Sequence, residues 1–95
     1  MKKYEIMYIV SVSLEEEARE NVHERVKTIL ENNDAQISET DHIGVKRFAY
    51  EINHQNEGDY MVIDFEAEPS VISEINNDLR ITDGLVRHMI VNLED

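Results

Sequence analysis

The chain contains no cysteine, which excludes a disulfide framework, a thiol nucleophile and a cysteine-held zinc. Glycine is scarce, and Gly44, Gly58 and Gly84 are scattered, so there is no Gly-x-Gly loop to cradle a phosphate. Cations are few: 9 Lys and Arg stand against 21 Asp and Glu, a net charge of −12. A protein that grips nucleic acid by its own neutralising charge normally leaves a basic footprint, and this chain has none overall. The balance favours a basic partner, or simple solubility. Long hydrophobic runs are also missing. The stretch from Tyr4 to Val10 is cut short by Ser11 and Ser13, well below a membrane span. It alternates and has no small-residue cleavage site, which speaks against a signal peptide and for a cytoplasmic chain.

What is present is enough for one domain, residues 1–95, with a single modest core. Tyr4 to Val10 reads as a buried strand, rich in Tyr, Ile and Val. Ser13 and Glu16 fit a capping box, and Glu15 to Glu17 suit the positive end of a helix. Leu14, Ala18, Val22, Val26, Ile29 and Leu30 then form one apolar helical stripe, closed by Asn32-Asn33-Asp34. Ala35 to Ile52 reads as a long second strand with a bulge at Gly44. His54 to Gly58 reads as a hairpin turn and Tyr60 to Ala67 as the third strand. Pro69-Ser70 opens a second helix with Val71, Ile72, Ile75 and Leu79 as its apolar side. A turn at Thr82-Asp83-Gly84 leads to a fourth strand, Leu85 to Leu93.

The order strand, helix, strand, strand, helix, strand implies two right-handed crossovers joined by a hairpin. This is an α+β, ferredoxin-like βαββαβ sandwich: a four-stranded antiparallel sheet with two helices on one face. The other face stays uncovered, and function is to be sought there. Period two assigns the faces. The set Glu5, Met7, Ile9 is more polar than Ile6, Tyr8, Val10, and so belongs on the open face. The Asp64 set follows on the third strand. On the fourth, Arg87 is harder to bury than His88, which sends Arg87 and Met89 outward. The open face then carries Met7, Ile9, Tyr60, Val62 and Met89, rimmed by Glu5, Asp64 and Arg87. An apolar patch with charged edges is the mark of a protein-binding surface.

Other chemistry finds little support. His23, His42, His54 and His88 have no metal-ligand spacing with one another, so no metal is expected, and His23 with Glu24 reads as a solvated pair. No nucleophile has an adjacent base, and the first loop, Ser11-Val12-Ser13-Leu14, lacks the glycine and arginine of a small phosphate hydrolase of this topology. The chain therefore reads as no enzyme, with no cofactor and no small-molecule substrate. A stand-alone base-stacking module wants aromatics on the first and third strands in a basic setting, and Asp59 and Asp64 work against that. A ligand-sensing or self-associating module of the same fold remains the alternative.

Three segments carry a resemblance. They are Met1-Lys2-Lys3-Tyr4-Glu5; Gly44-Val45-Lys46-Arg47-Phe48-Ala49-Tyr50-Glu51-Ile52; and Leu79-Arg80-Ile81-Thr82-Asp83 followed by Arg87-His88-Met89-Ile90-Val91. In this order and on these elements the chain resembles the bacterial small-subunit ribosomal protein S-six family over nearly its whole length. The family usually has leucine where Phe48 stands, and often arginine where this chain has Lys2, Lys3 and Lys46. The resemblance implies a structural role in the small ribosomal subunit, on the ribosome in the cytoplasm. It implies binding to the central domain of small-subunit rRNA as a heterodimer with the basic ribosomal protein S-eighteen. The RNA contacts it implies are Lys2, Lys3, Lys46, Arg47 and Arg87; Tyr4, Tyr50, Tyr60, Val62 and Met89 are expected as sheet-surface or partner contacts, with the core as the alternative for Tyr4, Tyr50, Tyr60 and Met89.

Overall fold

A computed structural model describes residues 1–52 and 55–94, with the side chains of 48–52, 55 and 56 outside the description. The elements are β1 (Lys2–Ser11), α1 (Glu16–Asn32), β2 (Gln36–Ile52), β3 (Gln55–Ala67), a 3-10 turn (Pro69–Val71), α2 (Ile72–Arg80) and β4 (Leu85–Asn92). All strand pairs are antiparallel, in the order β2-β3-β1-β4. This is the expected βαββαβ arrangement.

Alternation on the central strands decides which face is covered. Tyr4, Ile6, Tyr8 and Val10 of β1 are buried with Met61, Ile63, Phe65 and Ala67 of β3. Val22, Val26, Ile29 and Leu30 of α1 and Ile75 and Leu79 of α2 close over them. The helical stripe read from the sequence is thus the packing stripe. Tyr4 stacks on Phe65 with ring centroids 5.7 Å apart. Its side chain belongs to the core and is 6% exposed. This removes it from the set of sheet-surface partner contacts: its even position gives it the parity of Ile6 and Tyr8.

Three local expectations are revised. No side chain caps the start of α1, which begins after Glu15; Ser13 bonds instead to the Ser11 hydroxyl at 2.7 Å. His23 is not a solvated partner of Glu24 but is buried beside Tyr8, whose hydroxyl lies 2.9 Å from its Nδ1. The hairpin is also longer than its polar sequence suggests. Lys46 pairs with Gly58, Arg47 with Glu57 and Ile52 with Gln55, so strand continues through much of the segment read as a turn. Antiparallel pairing satisfies backbone groups whatever the side chains are, and the pairs beyond Gly58 run past the end of β1, where Ser11 lies opposite Gly58. Residue 54, the first of the expected turn, and residue 53 before it lie outside the described residues.

Two glycines have backbone reasons. Gly44 has φ +101° at a break in register between His42 and Gly44, the expected bulge. Gly84 has φ +87°, and a Cβ there would come within 2.8 Å of Leu14 Cδ1 and 2.9 Å of Val22 Cγ2. Its carbonyl accepts the Ser11 N–H at 2.9 Å, tying the end of β1 to the start of β4.

Candidate functional site

The uncovered sheet face is a grid read directly from the register. One row across β4, β1, β3 and β2 is Val91, Glu5, Asp64 and Glu39; the next is Met89, Met7, Val62 and Asp41; the third is Arg87, Ile9, Tyr60 and Gly44. Residues directly opposite in a ladder share a face, so all of these point away from the helices. The face expected to carry Met7, Ile9, Tyr60, Val62 and Met89 does carry them. Val91 joins the set as a residue the sequence reading passed over; it shares the odd parity of Arg87 and Met89, which was the available signal.

The middle of the grid is apolar and partly open. Met89 is 55% exposed and Val91 41%, while Met7 and Val62 are half-buried and Ile9 is buried among its neighbours. A cavity of about 250 Å³ opens here between Met7, Ile9, Arg87, His88 and Met89. The flank on β2 is acidic, with Glu39 and Asp41 both exposed. At one end Glu5 and Asp64 face each other. Partial burial, the hydrogen bond to Asp64 and the like charge of Asp64 together raise the Glu5 carboxyl above its ordinary range. The surface is therefore an apolar strip bordered mostly by negative charge, with Arg87 at one corner.

The expected RNA-contacting cations do not form one cluster. Lys3 stands opposite Glu66 at the beginning of β1, with Lys2 next to it opposite Ala67. Lys46 and Arg47 stand opposite Gly58 and Glu57 at the far end of the sheet. The eight residue steps from Lys3 to Ser11 span about 27 Å at strand rise, so the two groups are separated by the length of the sheet. Lys46 has the parity of the open face and Arg47 that of the helix side, and both are exposed. Asp64 and Glu66 lie too far along β3 to be their cross-strand partners. Arg87 is exposed on β4, opposite Ile9. Tyr50 lies outside the described side chains. Among the described residues no helix is long and apolar enough to cross a membrane.

Comparison with known proteins joins this geometry to a family. The family model for Ribosomal protein S6 matches residues 3–92. The chain belongs to the ribosomal protein S6 family. Small ribosomal subunit protein bS6 from Desulforamulus reducens is 40% identical over 91 residues, covering 96% of each chain. Its counterpart from Shouchella clausii is 40% identical over 94 residues, covering 99% of each. The crystal structure of 30S ribosomal protein S6 from Thermotoga maritima superposes with a TM-score of 0.91 at 38% identity, covering 96% of this chain and 86% of that one. The P2 domain of the chemotaxis kinase CheA, in complex with the response regulator CheY, has a TM-score of 0.62 at 13% identity and shares the fold alone. Membership in the S6 family makes this a ribosomal protein of the small subunit, located on the ribosome in the cytoplasm.

Proposed function

We propose that the chain is a non-catalytic assembly scaffold: its open sheet face docks the basic ribosomal protein S-eighteen, and the pair binds the central domain of small-subunit rRNA. The observation that carries this reading is the uncovered apolar strip between acidic margins, in a chain of net charge −12. Buried apolar area supplies affinity at the strip's centre, and acidic margins favour a cationic partner in orientation and on-rate. The same charge argues against self-association, because a second copy brings the same −12 to the interface.

RNA contact falls to the cations at the ends of the molecule. Lys46 and Arg47, on the projecting hairpin, reach phosphates on one side of a junction, with Arg87 on the β4 edge and Lys2 and Lys3 at the opposite end. Lysine offers a point charge rather than the two-pronged fork of arginine. With five dispersed cations against a strongly acidic background, RNA binding by the chain alone is weak and depends on the partner's charge.

The test is a titration of a central-domain RNA fragment with this chain, with purified S-eighteen, and with both. Tight, salt-sensitive binding only when both are present supports the proposal. No binding by the pair at low salt overturns it, and a concentration-dependent dimer of the chain alone in sedimentation would favour the self-associating alternative.

A further inference from the structure

At the other end of the covered face, three residues far apart in sequence meet. His23 comes from α1, His42 from β2 just before the Gly44 bulge, and Asp59 from β3. His42 Nε2 lies 2.7 Å from Asp59 Oδ1, and His23 Nε2 lies 3.5 Å from Asp59 Oδ2. One ligand atom from each of the three lies within 4.8 Å of the others. Asp59 is almost wholly buried, at 4% exposure. His23 Nε2 is buried, and beyond that long contact with Asp59 it makes no well-formed hydrogen bond. A buried polar atom left without a partner costs stability and calls for an explanation.

We propose that His23, His42 and Asp59 form a binding site for a divalent transition-metal ion, with Zn²⁺ the best fit. Two imidazoles and a carboxylate are the donor set of a three-ligand zinc site with a fourth position open. Tetrahedral bonds of 2.0–2.1 Å place ligand atoms about 3.3 Å apart, and one ligand atom from each residue already lies within 4.8 Å of the other two, so small side-chain shifts close the set on an ion. The fourth position opens on a cavity of about 140 Å³ lined also by Glu16 and Glu20. Glu20 precedes His23 by three residues on α1 and so shares its face of the helix. A carboxylate or a water can complete the shell.

The surroundings support the same assignment. The second ring nitrogen of His23, Nδ1, meets the Tyr8 hydroxyl at 2.9 Å; with Nε2 on the ion, Nδ1–H donates to the Tyr8 oxygen and fixes the ring. Arg19 is the opposing feature. Its NH1 sits 3.7 Å from Asp59 Oδ2 and supplies the positive charge that the buried carboxylate otherwise lacks. Arg19 is partly exposed, so it can swing to solvent when a dication takes its place. A bound ion would fasten α1 to the root of the hairpin that carries Lys46 and Arg47.

Calorimetric titration of Zn²⁺ into chelator-treated protein near neutral pH tests this, with Co²⁺ as an optical probe of geometry. The expected result is one equivalent bound, tetrahedral Co²⁺ absorption bands and a zinc-dependent rise in Tm. His42→Gln is suited to the test because the His42 side chain is 55% exposed and the glutamine amide keeps a donor for Asp59. It should weaken binding at least about tenfold. Arg19→Gln should tighten binding and enlarge the rise in Tm, because it removes the competing cation. Absence of saturable binding overturns the proposal, and so does binding that His42→Gln leaves unchanged, which would come from surface carboxylates. Weaker zinc binding in Arg19→Gln would also count against the site as described.

Discussion

On the covered face of the sheet Ile6, Tyr8 and Ile63 are fully buried beneath the helices; one residue back along the same strands Met7 and Val62 are only half-buried, and beside them on β4 Met89 and Val91 remain half in solvent. Both faces are built from alternate side chains of β1, β3 and β4, so strand propensity does not distinguish them. They differ in what completes them. The covered face has its partners within the chain, in α1 and α2. The open face has an apolar strip of comparable chemistry and nothing among the described residues to cover it, with acidic residues along one flank and one end. A surface that is apolar in the middle and charged at the border fits a protein partner better than water. Titratable groups repeat the contrast. His88, inward on β4 with its Nε2 3.2 Å from Asn76 Oδ1, has a lowered pKa through burial and the charge of Arg80. Glu5, on the open face opposite Asp64, has a raised one.

The largest expected effect breaks the covered face. Phe65 is 1% exposed, and Phe65→Ala should cost about 3–5 kcal/mol of stability in urea unfolding, a large share of the roughly 5–15 kcal/mol typical of a domain. The matching change on the open face is Met89→Glu. It should leave stability within about 0.5 kcal/mol while weakening binding to S-eighteen by about 2 kcal/mol, as loss of an interface anchor does; calorimetry on both variants checks the pair. If the two variants lose stability equally, the distinction between the faces fails. Arg47→Glu tests the hairpin separately. The RNA-containing complex should weaken by about 1–3 kcal/mol, with binding to S-eighteen alone unchanged, and unaltered assembly would remove Arg47 from the RNA contacts.

The smallest effects concern pH. Glu5→Gln should raise stability by about 0.5 kcal/mol at neutral pH by removing a like-charge pair across the ladder. A raised folded pKa contributes stability below the unfolded value, lost as pH rises through the folded pKa. The gain from Glu5→Gln should therefore fade as pH falls through the raised Glu5 pKa and be gone below the ordinary carboxylate value. His88 has the opposite sign: its lowered folded pKa gives stability above the unfolded value, lost as pH falls through the folded pKa. His88→Gln keeps a donor for Asn76 and should flatten the decline of Tm below about pH 6.5, the ordinary histidine value. A wild-type decline that persists unchanged in His88→Gln would assign it to other groups.

Much of this was legible in the sequence because period two is a strong signal on half-buried strands. The choice of Arg87 over His88 as the outward residue rested on the cost of burying a guanidinium, and it oriented β4 as observed. The Gly44 bulge and the Gly84 turn were also readable, since few other residues tolerate their φ. Legibility stopped where long-range contacts override local pattern. Ser13 and Glu16 have the spacing of a capping box, but the Ser11 hydroxyl takes Ser13 first. His23 looked like a solvated helix residue, because nothing local shows that β2 and β3 bring His42 and Asp59 against it. The polar residues after Ile52 suggested a loop, whereas ladder pairing extended the strands. The positively charged residues could be listed from sequence, but only the register separated them to opposite ends of the sheet.

The most direct test is methyl NMR mapping of the chain titrated with S-eighteen, using labelled Met, Ile and Val side chains on both faces. The account predicts that Met7, Val62, Met89 and Val91 shift or broaden on binding, while Val26, Ile29 and Ile75 in the helix layer stay in place. Perturbation confined to the helix layer, or absent from the open face, would contradict it.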